Sequence, residues 1–127
     1  MSDSTASLTN YRQSPRKVRL VADLVRGKTV ERALAVLGVL PKRASEPMAK
    51  LIKSAAANAQ SNGKAEGASA SDLVISRIEV NGGVVFKRSM PRARGRAAQI
   101  LKRTSHVTLA LTRREAGQAR KAPAAQK

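Results

Sequence analysis

From Val84 to Leu111 the chain reads VVFKRSMPRARGRAAQILKRTSHVTLAL, and this stretch limits the possible folds more than any other. Two β-prone arms flank Pro91-Arg92-Ala93-Arg94-Gly95-Arg96, a centre too basic to bury and too marked by Gly and Pro to continue a strand. No acidic residue lies between Glu79 and Glu115, a window that holds Lys87, Arg88, Arg92, Arg94, Arg96, Lys102, Arg103, Arg113 and Arg114. Cations this dense repel one another unless something anionic runs beside them. The stretch therefore reads as a protruding β-hairpin, at about residues 84–106, built to be sheathed in a polyanion. Roughly ten to fourteen residues per arm, at about 3.3 Å each, give a reach of roughly 35–45 Å. A bare two-stranded ribbon of that length is marginal in water and needs a partner along its length.

The rest of the composition agrees. Against 25 Lys and Arg stand 8 Asp and Glu, for a formal charge of +17. The free protein repels itself and gains by binding nucleic acid. There is no Cys, which excludes a disulfide framework, a zinc ribbon and thiol chemistry, and His106 is the only histidine. No metal or cofactor is expected. No apolar run approaches the ~20 residues of a membrane span, and the polar start MSDSTASLTN lacks the regions of a secretory signal. The expectation is a soluble cytoplasmic protein with no membrane partner. Tyr11 and Phe86 are the only aromatic residues, too few to stack successive bases of a single strand. Recognition of phosphate, sugar and shape remains.

With 127 residues the chain holds one globular domain, at 8–112, between a frayed tail at 1–7 and a disordered basic tail at 113–127. Leu8 to Arg12 suggests a short strand. Ser14-Pro15 opens a first helix, with Ser as N-cap and Pro at the first helical position. Val18, Val21, Ala22 and Val25 form its apolar face, and Gly27 ends it. Its other stripe carries Arg16, Arg19, Asp23 and Arg26. This is either a solvated face with Arg19 and Asp23 paired, or a phosphate-facing one, and the net charge favours the second.

Thr29 caps a second helix that buries Val30, Ala33, Leu34 and Leu37 and closes at Gly38 and Pro41. A third is expected from about Pro41 or Lys42 to Asn62, with Met48, Leu51, Ile52, Ala55 and Ala59 inward. If it starts near Pro41, Pro47 kinks it; if it starts at Ser45, Pro47 sits harmlessly in the first turn. Gly63 to Asp72 is a flexible loop, and Leu73 to Val80 a strand. Asn81-Gly82-Gly83 is expected to turn the chain into the hairpin. In the returning arm, Val107, Leu109 and Leu111 alternate with polar or small residues, but before His106 the alternation fails. Such a change fits a strand leaving the body; a rival reading makes Ala97 to Arg103 a helical turn. The fold class is α+β: three helices packed on a small antiparallel sheet with one long protruding basic β-hairpin.

Ser14 to Lys28 (SPRKVRLVADLVRGK), Ser54 to Asn58 (SAAAN), and Lys87-Arg88, Met90 to Ala97 (MPRARGRA) and Lys102 to His106 (KRTSH) resemble the bacterial large ribosomal subunit protein 22 family, in order and spacing. The resemblance spans about Leu8 to Thr112. It implies a body seated on large-subunit rRNA near the mouth of the peptide exit tunnel, and a hairpin running inward through RNA. Taken with the charge of the α1 stripe and the hairpin, it makes the expected rRNA-binding residues Arg12, Arg16, Lys17, Arg19, Arg26, Lys87, Arg88, Arg92, Arg94, Arg96, Lys102, Arg103 and His106. Met90, Arg94, Gly95 and Arg96 are implied to line the tunnel, beside the nascent polypeptide. Other partners implied are neighbouring ribosomal proteins, with no self-association. Ser89 departs from the larger aliphatic residue usual in the family, and the tail after Arg113 does not match.

An enzyme is not expected. Ser105 and His106 are neighbours, so on a strand they point to opposite faces, and no second base, paired carboxylates or phosphate loop completes a site. The alternative is a histone-like DNA-bending protein with a basic β-arm. Such proteins are usually dimers, whereas the Val, Ala and Leu faces here suffice for one body with a single arm.

Overall fold

The computed structural model describes residues 4–63 and 67–114. In chain order the elements are β1 (Ser4–Tyr11), α1 (Pro15–Val25), α2 (Val30–Val39), α3 (Ser45–Ser61), β2 (Leu73–Pro91), a single 3-10 turn (Ala93–Gly95) and β3 (Ala97–Arg113). The strands form one antiparallel sheet in the order β1-β3-β2. The last strand thus lies between the first and its own hairpin partner, which closes the domain. The expected α+β class is the observed one.

Each helix buries the stripe its periodicity marks. On α1, Val18, Val21, Ala22 and Val25 are buried, as are Val30, Ala33 and Leu37 on α2. Leu34 is only half-buried. Ser14 makes no side-chain cap, although its carbonyl accepts the first helical N–H groups. Pro15 supplies the preset φ, and Gly27 leaves the helix at φ +74°. Thr29 does cap, its hydroxyl accepting from the Arg32 amide at 3.4 Å. α3 starts at Ser45, so Pro47 lies in the first turn, where its missing N–H is no loss. Ala55 and Ala59 let α3 lie close to β1: the Ser4 hydroxyl donates to the Ala55 carbonyl at 3.0 Å.

Several sequence-based boundaries move. β1 begins at Ser4, a buried residue within the stretch read as a tail, because the pairing of Ser4 with Leu111 extends the sheet to that end. Arg113, assigned to the other tail, pairs with Leu73. Asn81-Gly82-Gly83 makes no turn: β2 runs through it, with one extra residue between Gly82 and Val85 forming a bulge. Ala97 to Arg103 is strand throughout, not helix. In the loop read as Gly63 to Asp72, residues 64–66 lie outside the described residues, as does the tail beyond Arg114.

Both free edges of the sheet are occupied by helix side chains. On the β2 edge, Arg19 donates through Nε and Nη2 to the Val80 carbonyl, at 3.2 and 3.0 Å, and Arg26 donates to the Ile78 carbonyl at 3.1 Å. On the β1 edge, Asn58 donates to the Thr5 carbonyl at 3.1 Å. Capped carbonyls are poor templates for a further strand. The sheet can therefore extend from the body without presenting bare edges beside the helices.

Candidate nucleic-acid interface

The body ends at one level of the sheet. β1 makes its last pair at Tyr11 and Ser105, and β2 pairs Gly82 with the same Ser105. Beyond that level, β2 and β3 continue as a pair alone, in unbroken register from Val85 opposite Arg103 to Pro91 opposite Ala97. No residue from 84 to 103 is buried. Both faces of this ribbon are open.

The register explains why alternation fails here. Val85 faces Arg103, Phe86 faces Lys102, Lys87 faces Leu101 and Arg88 faces Ile100. Opposite residues of an antiparallel pair share a face. Each face therefore carries apolar side chains and cations in a mosaic, and neither is a core face. Adjacent apolar and adjacent basic pairs in β3 (Ile100-Leu101, Lys102-Arg103) are what a two-sided surface requires.

At the tip, the Arg92 amide donates to the Arg96 carbonyl at 2.7 Å, and the Arg96 amide closes on Ala93 at 3.4 Å. Gly95 has φ +69°, as its place in the turn suggested, and Arg94 has φ +59°. A left-handed arginine is strained by roughly 1–2 kcal/mol. The hydrogen-bonded turn offsets that cost and places the exposed Arg94 side chain at the end of the ribbon, between Arg92 and Arg96. Met90 is half-buried opposite Ala98, a packing role for its flexible chain.

Among the described residues, the charges of the ribbon have no carboxylate partner. The three ion pairs among the described residues all lie in the body: Arg26 with Asp23, Lys50 with Glu46, and Arg77 with Glu79. Lys87, Arg92, Arg94, Arg96, Lys102 and Arg103 are exposed and belong to none of them. The Arg88 guanidinium donates to the neighbouring Lys87 carbonyl, at 3.2 Å. With no ion-pair partner among the described residues, these exposed groups are hydrated donors available to phosphate oxygens.

The body cations divide. Arg16 and Lys17 are exposed on α1, with no ion pair among the described residues. Arg19 and Arg26 instead turn toward β2, as described above. Asp23 pairs with Arg26, at 2.6 Å and i,i+3, and not with Arg19 as the solvated-face alternative would have it. The guanidinium of Arg19 is drawn to the carbonyl edge beside it. Arg12 lies over the Phe86 ring at 4.9 Å, so it braces the base of the ribbon.

His106 is half-buried on the face of β3 opposite Val107, with Nδ1 accepting the Asn10 amide at 3.1 Å. Its ring also lies against Gly83. Asn10, Gly83, Thr104 and Asn58 all shape the interface's support and were not singled out as functional residues from sequence. The Gly82-Gly83 doublet is the available signal, and by composition alone it indicates a turn.

A family model described as ribosomal protein L22p/L17e matches residues 6–112. Among similar curated proteins, the large ribosomal subunit protein uL22 of Herpetosiphon aurantiacus is 56% identical over 104 residues, covering 82% of this chain and 89% of that protein. The protein of the same name from Mesoplasma florum is 52% identical over 107 residues, with 84% and 93% covered. That from Pelobacter propionicus is 46% identical over 110 residues, with 87% and 96% covered.

Proposed function

The chain belongs to the ribosomal protein L22p/L17e family, and on that premise we propose how it serves as a structural constituent of the large ribosomal subunit. It binds large-subunit rRNA in the cytoplasm, beside neighbouring ribosomal proteins, and contributes to translation by architecture; the family is not one of enzymes. Family membership displaces the histone-like reading of the basic arm.

The body seats on rRNA through Arg16 and Lys17, with the remaining donors of Arg19 and Arg26 beside them. The ribbon then passes between RNA segments. Because both of its faces mix cations with apolar side chains, phosphates can be neutralised on two sides at once, and RNA segments that would repel are tied together. Lys87, Arg88, Arg92, Arg96, Lys102 and Arg103 perform this neutralisation. The tip, with Met90, Arg94, Gly95 and Arg96, lines the peptide exit tunnel and meets the nascent chain. The observation that carries the proposal is the bare ribbon whose cations form no ion pair among the described residues.

The test is binding to large-subunit rRNA fragments across a salt series. Arg92→Ala and Arg103→Ala should each weaken binding and reduce the slope of log affinity against log salt by about one phosphate's worth, roughly 0.7–0.9. An unchanged slope would remove those residues from the interface. Preference for duplex DNA over these fragments would contradict rRNA as the partner. Shortening the tip around Arg94 to Arg96 should alter nascent-chain passage while the body stays folded by circular dichroism.

A further inference from the structure

The ribbon leaves the body where two bulges face each other across β3. One is in β1, between Leu8 and Tyr11, and holds Asn10 at φ +54°. The other is in β2, between Gly82 and Val85. Between them, on β3, stand Thr104 and His106. A bulge bends its strand and increases local twist, so a pair of them at one level sets the direction of everything beyond.

The contacts across this level are specific. The Asn10 amide, displaced from the ladder by its bulge, donates to His106 Nδ1 at 3.1 Å. On the other side, the Thr104 hydroxyl donates to the Val84 carbonyl at 2.6 Å. Gly83 lies under both side chains: a Cβ there would come within 2.5 Å of Thr104 Oγ1 and 3.0 Å of His106 Nε2. Gly83 is not in the left-handed region, so its lack of a side chain serves close approach and not backbone freedom. The imidazole is thereby fixed between the two edge strands.

We propose that His106, Asn10, Gly83 and Thr104 form a latch that sets the angle at which the ribbon leaves the body, with His106 as a positioning residue. The ribbon has no helix behind it, so a small change of angle at the neck displaces the tip by many ångströms. The latch fixes that angle before RNA is met, and RNA need not supply the alignment. Its consequence for assembly rests on the ribbon being the RNA-bound arm, but the latch itself is a property of the free protein.

The test uses the full chain without RNA. Because it has no Cys, nitroxide labels can be attached at Lys53→Cys on α3 and Ser89→Cys on the arm, both exposed. Pulsed electron spin resonance should give one narrow distance distribution. Gly83→Ala should shift or broaden it, and adding Thr104→Ala, which clears the nearest atom, should restore it in part. His106→Leu should broaden it, whereas His106→Asn, whose amide oxygen can stand in for Nδ1, should keep it narrow. Gly83→Ala and His106→Leu act from opposite sides, so a folding failure of one leaves the other decisive.

A broad distribution without any substitution would overturn the latch, as would indifference to both single variants. Equal broadening in His106→Leu and His106→Asn would also overturn the role of the Asn10 bond. Failure of the RNA-binding reading appears elsewhere, in the salt slopes of Arg92→Ala and Arg103→Ala, and leaves these distances untouched.

Discussion

Arg19 donates two hydrogen bonds to the carbonyl oxygen of Val80, although it stands in the basic stripe of α1 beside Arg16. Two similar arginines on one helix are thus given different work. Arg19→Ala should destabilise the body by about 1–2 kcal/mol, since a charge-assisted bond to a partly buried carbonyl is lost. Arg16→Ala should change stability by less than about 0.5 kcal/mol and weaken rRNA binding. Chemical denaturation and binding assays on the two variants separate these roles; equal stability losses would contradict the division.

The contact of Arg12 with Phe86 ties the β1–α1 connection to the base of the ribbon. A double-mutant cycle of Arg12→Ala with Phe86→Leu should give a coupling of about 0.5–1 kcal/mol, the usual range for an exposed cation–π pair. Zero coupling would mean that the ribbon base is not braced there.

Ser105 is fully buried at the neck, and its hydroxyl has no hydrogen-bond partner among the described residues. An unsatisfied buried hydroxyl costs about 1–3 kcal/mol. Ser105→Ala should therefore stabilise the protein by roughly 1 kcal/mol, read as a raised denaturation midpoint with unchanged m-value. A loss of stability would show that the hydroxyl is bonded in solution.

Asp72 accepts from the Ser69 amide at 3.0 Å and from its hydroxyl at 2.9 Å. The backbone bond, then the side-chain bond, hold its carboxyl below the ordinary aspartate value; a small desolvation opposes them, and the charges of Arg113 and Arg114 add to them. A group whose pKa is depressed on folding stabilises above its unfolded value, and that contribution is lost as pH falls through the folded value. The 69–72 turn should thus stay closed to lower pH than an ordinary aspartate would allow. A Ser69 amide NMR titration that tracks an ordinary aspartate would contradict this, and Asp72→Asn should abolish the transition.

Much of this was legible in the chain. The apolar stripes of α1 and α3 and the strand around Val107, Leu109 and Leu111 follow from local periodicity, whereas the Ser45 start of α3 was one of two the sequence left open. The hairpin followed from charge. What stayed hidden depends on pairing across long separations. Gly82-Gly83 has the composition of a turn, and only its position opposite Ser105 and Thr104 makes it a bulge. Ser4 looks like tail until Leu111 is beside it. Arg19 and Arg26 carry no sign in sequence that they cap β2, because the carbonyls they meet lie 61 and 52 residues away. Charge showed which residues could touch RNA; tertiary placement decided which were already engaged.

The central claim is that the ribbon, aimed by its neck, has only marginal backbone stability of its own and gains the rest from RNA on both faces. Backbone hydrogen exchange over residues 85–103, in the free protein and in assembled large subunits, tests it most directly. The account predicts that free ribbon amides exchange far faster than those of Val107 and Leu109 in the same strand, and slow by at least about tenfold in the subunit. Ribbon amides as protected as the core in the free protein, or equally unprotected inside the subunit, would contradict it.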